Sequence, residues 1–102
     1  MINIRTIRKL SNGEGLTLKN GKIITYKTGW QVADEGYETS NPKVVMIFIK
    51  AMNGTCGVWY ENGIYYVDHS FRVNTKKQAL EIGRKNYQIS IFGWKRKNLI
   101  YI

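Results

Sequence analysis

Few residues in this chain are of types that could do chemistry, and their spacing does not favour a catalytic site. Asp68-His69-Ser70 contains the side chains of a Ser-His-Asp triad. Neighbours on a strand point to opposite faces, however, so these three cannot form the proton relay. We interpret His69 as a surface or hydrogen-bonded histidine. Cys56 has no evident base partner, and we interpret it as a small buried residue.

The acidic and glycine-rich segments also lack the patterns of a cofactor site. Asp34, Glu35 and Glu38 are not followed by a paired histidine or a second carboxylate cluster at a supporting spacing, so we predict an acidic loop. Gly13-Glu14-Gly15 has neither the lysine nor the strand-to-helix context of a phosphate-binding loop. We therefore predict no catalytic residues, no metal and no cofactor, and a chain that is not an enzyme.

The distribution of charge points to binding instead. The chain has 102 residues and a formal net charge of +9. Residues 71–102 hold eight basic side chains and one acidic one, whereas residues 31–70 hold two basic and five acidic ones. Positive charge concentrated in this way attracts anions, including the phosphates of nucleic acid.

The basic turn at residues 94–97 is the sharpest local feature. Its three cations could neutralise phosphates, and its indole could stack on an unpaired base. The alternative is a solvated turn with the Trp94 side chain directed into the core. A predicted helix upstream adds four more cations. The predicted footprint for nucleic acid or an acidic partner consists of Lys76, Lys77, Arg84, Lys85, Trp94, Lys95, Arg96 and Lys97.

A second candidate surface combines aromatic and apolar side chains. Two aromatic pairs flank Asn62-Gly63, and the alternation of side chains along a strand turns one member of each pair outward. Exposed aromatic residues commonly anchor protein interfaces. The alternative is a second layer of structure that covers them. The predicted protein interface consists of Met46, Ile49, Trp59, Tyr60, Tyr65 and Tyr66.

Two Asn-Gly dipeptides predict the hairpins that position these residues. Asn-Gly supplies the positive φ angles of a two-residue type I′ turn. Asn20-Gly21 joins the predicted strands 16–19 and 22–28, and Asn62-Gly63 joins 57–61 and 64–68. A short first strand is suggested at Ile2–Ile7.

The first of two predicted helices lies between the hairpins. Asn41-Pro42 has the pattern of a helix start and Asn53-Gly54 that of a helix end. Met46 and Ile49 would then project away from the core. The alternative for residues 43–50 is a buried strand, because the run is rich in β-branched residues. The core face predicted from helical spacing consists of Val44, Ile47, Phe48 and Ala51.

The second predicted helix begins at Thr75, since Thr75 and Gln78 have the spacing of a capping box. Gly83 is predicted to let this helix approach a sheet closely, and Asn86 to end it. Strands at residues 87–94 and 99–102 complete the chain. The sequence thus predicts one α+β domain over residues 1–102, with a largely antiparallel sheet, two Asn-Gly hairpins and two helices in the order βββ-α-ββ-α-ββ.

Two further features bear on the compartment. The single cysteine excludes an intramolecular disulfide and fits a reducing environment. The longest apolar run, Val44–Ile49, is far shorter than the roughly twenty residues of a membrane span, and the first residues lack the apolar run of a signal peptide. We expect a cytoplasmic protein.

Three blocks, within a span of roughly residues 20–102, resemble small uncharacterised proteins of Gram-positive phages and mobile elements: Thr28–Ala33, Gly57–Tyr60 and Ala79–Phe92. The resemblance carries over no functional residue. It implies a phage-like setting, in which small non-enzymatic proteins bind and disable host defence or replication machinery, anti-CRISPR proteins among them. Many such inhibitors are acidic mimics of DNA. An inhibitor as basic as this chain would instead bind nucleic acid directly or cover an acidic surface of its target.

We therefore expect a non-catalytic phage or mobile-element protein that interferes with a host nucleic-acid-handling or defence complex in the bacterial cytoplasm. The expected partners are a host protein or ribonucleoprotein complex and nucleic acid, bound directly or through the complex, with no membrane. The alternative is a nucleic-acid-binding accessory or regulatory protein without a helix-turn-helix. The oligomeric state stays open, although an exposed last strand would permit dimerisation through edge pairing.

Overall fold

A computed structural model describes residues 2–52 and 54–102. Within them, three helices and seven strands confirm the predicted α+β class. The strands pair antiparallel in the order β2-β1-β4-β5-β3-β6-β7. The elements are α1 (Ile4–Arg8), β1 (Gly15–Lys19), β2 (Lys22–Ile23), β3 (Trp30–Thr39), α2 (Pro42–Ala51), β4 (Thr55–Glu61), β5 (Ile64–Val73), α3 (Lys76–Lys85), β6 (Ser90–Gly93) and β7 (Asn98–Tyr101).

The chain divides into two compact units, each with its own buried cluster. Unit 1 comprises residues 2–24 and Gly36–His69, and unit 2 comprises Thr25–Glu35 and Ser70–Ile102. The core of unit 1 lies between its strands and the helices α1 and α2, and includes Ile7, Leu18, Val45 and Val67. The core of unit 2 is smaller and is built on Val32, Ala79 and Ile91.

The first strand predicted at Ile2–Ile7 is wrong, because Ile4–Arg8 form the helix α1 and Asn3 is its N-cap. The Asn3 side chain accepts a hydrogen bond from the Thr6 amide at 3.3 Å and so starts the helix. Ile4 and Ile7 are three residues apart, a spacing that places them on one face of a helix. Ile7 is fully buried, so the apolar spacing belongs to a short helix that contributes to the core of unit 1.

Both Asn-Gly hairpins are present. Asn20, Gly21, Asn62 and Gly63 all have positive φ angles, between 50° and 82°, as a type I′ turn requires. The second hairpin is longer than predicted, because β5 continues to Val73. The first is shorter, since β2 has only two residues.

The helix predicted after Asn41 is confirmed, and the buried-strand alternative for residues 43–50 is excluded. Asn41 caps α2 by accepting a hydrogen bond from the Lys43 amide at 2.9 Å, and Pro42 occupies the first turn. The helix ends at Ala51. The stop predicted at Asn53-Gly54 falls partly on Asn53, which lies outside the described residues.

The face by which α2 packs differs from the prediction. Val45 and Ile49 are buried, whereas Ile47, assigned to the core face, is 63 % exposed. The run from Val44 to Ile49 is apolar at every position, so its periodicity does not select a face. The choice is made by packing against α1 and the strands of unit 1.

The strand β3 was missed, and the acidic loop predicted for Asp34, Glu35 and Glu38 is wrong, because all three residues lie on that strand. Only the first residues of β3 are buried, and the residues from Asp34 to Glu38 are exposed. A strand exposed over half its length does not show the alternation of apolar and polar residues by which strands are recognised.

In unit 2, the capping box of α3 forms as predicted. Thr75 Oγ1 accepts a hydrogen bond from the Gln78 amide, and the Gln78 side chain accepts one from the Thr75 amide, both at 3.2 Å. Gly83 faces the strands at close range, since a Cβ placed there would lie 3.3 Å from Ile91 Cγ2 and 3.7 Å from Val32 Cγ2. This confirms the predicted close approach. Asn86 caps the end of the helix.

The last two strands are shifted relative to the prediction. β6 begins at Ser90 rather than at Tyr87, because Tyr87 adopts a left-handed conformation with φ +56° that ends the helix. β7 begins one residue earlier than predicted, at Asn98. β6 and β7 pair in antiparallel register, with Gly93 opposite Asn98 and Ser90 opposite Tyr101.

We expect Gly93→Ala to destabilise unit 2 by about 1–3 kcal/mol, the usual cost of forcing extra atoms into a packed site. A Cβ at Gly93 would lie 2.8 Å from Trp30 Cζ3 and 3.0 Å from Asn98 Oδ1. Gly36→Ala is the matched control, because the nearest atom to its Cβ would be Asp68 Cβ at 3.6 Å. Chemical denaturation of both variants tests this. Equal stability of the two variants would contradict the close packing of Trp30 and Asn98 against Gly93.

Candidate functional site

The Trp94 side chain is buried, with only 6 % of its surface exposed. The prediction that it stacks on a base is therefore wrong, and the alternative of a turn with its indole in the core is correct. Trp94 contacts two other aromatic rings edge to face. Its ring centroid lies 5.4 Å from that of Tyr26 and 5.0 Å from that of Phe92.

A buried chain of hydrogen bonds fixes the Trp94 indole. Its Nε1–H donates to Gln31 Oε1 at 3.1 Å, and Gln31 Nε2–H donates to Ser70 Oγ at 3.0 Å. Gln31 and Ser70 are both buried, and a buried polar group without a partner would cost about 1–3 kcal/mol. The pattern Trp94-Gln31-Ser70 thus specifies one orientation of the indole and sets where the basic turn begins.

Arg72 ties two further segments together. Its Nε–H donates to the Thr28 carbonyl at 2.8 Å, and its Nη1–H donates to Asn74 Oδ1 at 2.8 Å. The guanidinium also lies over the Tyr26 ring, 5.5 Å from the centroid. A Cβ at Gly29, which has φ +92°, would lie 2.6 Å from Arg72. Only glycine leaves room for this contact. Arg72 is therefore a structural cation.

These ties bring three basic segments to one end of unit 2. The Trp94 amide donates to the Gly29 carbonyl at 3.0 Å, next to the Thr28 carbonyl that Arg72 holds. Asn74, the other partner of Arg72, directly precedes the cap of α3. We call this region the basic end of unit 2, and its exposed cations are Lys27, Lys76, Lys77, Lys95, Arg96 and Lys97.

The other two predicted cations, Arg84 and Lys85, lie at the far end of α3. Ten helical residues span about 15 Å. The Asn86 side chain that follows them donates to the Ala33 carbonyl at 3.4 Å, three residues along β3 from Trp30. The predicted footprint therefore splits into two patches. Cations in the last turn of a helix also interact favourably with its dipole, which gives Arg84 and Lys85 a structural role.

Tyr87, next to this second patch, was missed by the sequence analysis. It is 93 % exposed, more than any other large hydrophobic residue of the described chain. Its left-handed φ angle follows from its position directly after the cap of α3. Such conformations are uncommon for residues other than glycine, asparagine and aspartate, so no sequence signal identified it.

The predicted protein interface is only partly available at the surface. Ile49 and Tyr65 are buried in unit 1, so their assignment to a surface is wrong. Met46 and Tyr60 are half-buried and pack against the same core. Burial and the neighbouring Tyr60 raise the pKa of Tyr65, an effect that Arg8 partly offsets.

Trp59 and Tyr66 lie opposite each other on β4 and β5, with ring centroids 5.6 Å apart. Both are half-buried. Tyr60 and Tyr65, their chain neighbours, form the corresponding pair on the core side, at 4.7 Å. One member of each sequence pair thus faces the core, as the alternation predicts.

The fold brings Cys56 and His69 together, a juxtaposition that the sequence analysis missed. They are register partners on β4 and β5. Burial, and secondly the charge of Asp68, raise the pKa of the Cys56 thiol to about 11. The thiol is therefore protonated near neutral pH and lacks the thiolate that a nucleophile needs. Cys56 and His69 are thirteen positions apart in the sequence, and it is the register of β4 with β5 in the hairpin that places them opposite each other.

The remaining catalytic candidates lie on one strand, where neighbouring side chains point to opposite faces. Asp68, His69 and Ser70 are consecutive on β5, and Ser70 accepts its hydrogen bond from Gln31. Among residues 2–52 and 54–102, no three or more His, Cys, Asp and Glu side chains are grouped so that they could hold a metal ion.

Comparisons with protein families, curated proteins and solved structures found no match to the chain. Within the described residues, none of the helices has the length and apolar composition to cross a membrane.

We expect Trp94→Phe to lower the free energy of unfolding by about 1–3 kcal/mol, because it leaves the buried side-chain oxygen of Gln31, Oε1, without its donor. Trp30→Phe is the control, since Trp30 packs against the core of the same unit while being half-buried. Urea denaturation measures both. A loss for Trp94→Phe no larger than that for Trp30→Phe would contradict the role of the hydrogen bond.

We also expect Cys56 to make stability fall at alkaline pH. The ordinary thiol pKa is 9.0, against about 11 in the fold. Between these values the unfolded chain loses the proton that the folded chain keeps, so the contribution present below pH 9 is lost as the pH rises towards 11. The difference in unfolding free energy between the native chain and Cys56→Ala should shrink over this range. A difference independent of pH would refute it.

Proposed function

We propose that the chain is a non-catalytic binding protein that contacts the phosphates of nucleic acid with the basic end of unit 2. In this way it interferes with a host nucleic-acid-handling or defence complex, as an anti-CRISPR-like inhibitor does. The observation that carries the proposal is the joining of three basic segments by Arg72 and Trp94. Cations dispersed in the sequence are thereby concentrated on one surface.

The charge of unit 2 supports this proposal. Unit 2 has nine Lys and Arg residues against three Asp and Glu residues, whereas unit 1 has seven against four. All six cations of the basic end are exposed, as is Glu81 on α3. Exposed cations keep their hydration until a partner arrives, and clustered ones raise the local concentration of anionic partners.

The burial of Trp94 determines what kind of binding this end offers. Without an exposed indole at the turn, its contribution comes from Lys95, Arg96 and Lys97 alone. Such contacts are made to phosphates and carry no sequence information. We therefore expect weak discrimination between sequences and a steep dependence on salt, since each neutralised phosphate releases counterions.

The absence of catalysis is part of the proposal. It is supported by the protonated Cys56 thiol and by the consecutive positions of Asp68, His69 and Ser70 on β5, where neighbouring side chains point to opposite faces. The proposed setting is the cytoplasm of a bacterial host invaded by a phage or mobile element. It rests on the resemblance of residues 28–33, 57–60 and 79–92 to small proteins of Gram-positive phages and mobile elements.

A second candidate function is that of a nucleic-acid-binding accessory or regulatory protein, without a helix-turn-helix. The observation in its favour is Tyr87, which is almost fully exposed and follows Arg84 and Lys85 in the chain. An exposed ring next to cations can stack on an unpaired base while the cations neutralise the phosphates. This function predicts that the chain prefers single-stranded to duplex nucleic acid and that Tyr87→Ala abolishes the preference. Binding at the basic end alone predicts no such preference.

We expect the triple variant K95E/R96E/K97E to bind duplex DNA much more weakly. Each lost phosphate contact should reduce the slope of log K against log salt by about 0.9, so that the triple change reduces it by roughly 3. The control is K19E/K22E/K43E, which makes the same charge change at exposed positions of unit 1. Equal slopes for the two variants would sink the assignment.

A pull-down from host lysate, split into nuclease-treated and untreated halves, separates the two functions. A host protein retained after nuclease treatment by the native chain, but not by the triple variant, supports interference with a host complex. Loss of every bound protein with the nucleic acid supports the accessory function instead. Retention of the same host protein by the triple variant would contradict a role for the basic turn.

A further inference from the structure

The strands at the two ends of the sheet order differ in their protection against pairing with another chain. β2 has two residues, one of them Lys22. A very short strand with a lysine is a common way to prevent edge pairing. β7 consists of Asn98-Leu99-Ile100-Tyr101, which includes no charged residue and no proline. The described residues therefore leave one edge of the sheet unprotected.

The register of β7 shows which of its backbone groups face outward. The Ile102 amide donates to the Ile89 carbonyl at 3.0 Å, in continuation of the β6–β7 pairing. Hydrogen-bonding direction alternates along an antiparallel strand. The amides and carbonyls of Asn98 and Ile100 therefore point towards β6, and those of Leu99 and Tyr101 point away from it.

The side chains of the same two residues are exposed. Leu99 is 42 % exposed and Tyr101 is 71 % exposed, although both are large and largely apolar. They share one face of the strand, whereas Ile100 packs against the core of unit 2. Outward hydrogen-bonding groups and exposed apolar side chains thus coincide at two positions.

We propose that β7 pairs with β7 of a second copy of the chain, in antiparallel register about Ile100. This register places Leu99 of each copy opposite Tyr101 of the other. Both are hydrogen-bonded pairs, so the four outward groups of each copy are satisfied by four hydrogen bonds in total. It also forms two cross-strand contacts between an aliphatic and an aromatic side chain, a stabilising combination.

Charge favours this orientation over a parallel one. Lys97 directly precedes β7 and lies three residues from Ile100. In the antiparallel pair the two Lys97 residues are separated by about 20 Å along the strands, well beyond the Debye length of about 8 Å at physiological salt. In a parallel pair they would lie about 5 Å apart, the distance between neighbouring strands. The uncharged segment is therefore suited to a second copy only when the copies run in opposite directions.

The size of the contact sets its strength. A strand of four residues buries less than the roughly 1,200–2,000 Å² of a standard stable interface. The dimer should therefore be weak, with a population that rises with protein concentration. Its existence is independent of the proposed function, because the strand pairing uses none of the cations of the basic end.

Sedimentation velocity of the full chain over a wide concentration range tests the proposal. We expect the average mass to rise from 11.8 kDa towards twice that value. Leu99→Lys should keep the chain monomeric, and so should Tyr101→Pro, which removes an outward amide and no bond to β6. Ile23→Lys, at an exposed position of β2, is the control that should still dimerise. A native chain that stays monomeric, or a Leu99→Lys variant that dimerises equally, would overturn the proposal.

Cross-linking tests the register separately. Hydrogen-bonded antiparallel pairs have Cα atoms about 5.5 Å apart, within the range of a disulfide. Under oxidation, Leu99→Cys protein mixed with Tyr101→Cys protein should form a cross-linked heterodimer faster than either protein forms a homodimer. Equal rates in all three samples would rule out this register.

Discussion

The hydrogen bond from the Trp94 indole to Gln31 is the interaction on which the rest of unit 2 depends. It places the largest side chain of the basic turn in the core, where Tyr26 and Phe92 surround it. Gln31 passes the constraint on to Ser70, so β3, β5 and the turn are joined by two buried polar contacts. A buried polar network with every member satisfied specifies one arrangement, because any other leaves a costly unpaired group.

The surface charge is a consequence of this internal arrangement. The Trp94 indole lies in the core, and the three cations that follow it in the turn are exposed to solvent. Arg72 does the opposite, since its hydrogen bonds to Thr28 and Asn74 use its donors within the fold. Arg72 thus has a structural role, and it holds together the segments that carry the six exposed cations of the basic end. A substitution at Trp94 or Arg72 is for this reason expected to alter the positions of the exposed cations as well.

The sequence predicted those features that depend on local chemistry. The Asn-Gly turns, the caps at Asn41 and Thr75 and the close approach at Gly83 each follow from one or two residues, and all are present. Features that depend on packing were not predictable: the uniformly apolar run 44–49 hides its buried face, and the exposed half of β3 gives no periodic signal. The pairing of Cys56 with His69 likewise required the register of β4 and β5.

In the proposed mode of binding, the turn contacts nucleic acid through its cations while Trp94 remains in the core. An NMR titration of the ¹⁵N-labelled chain with duplex DNA tests it directly, because the indole N–H and the backbone amides give separate signals. We expect the amide signals of Lys95, Arg96 and Lys97 to shift with an affinity that falls as salt is added, while the Trp94 indole signal keeps its position and its protection from exchange. A Trp94 indole signal that shifts and loses its protection as DNA is added would contradict binding through the cations alone.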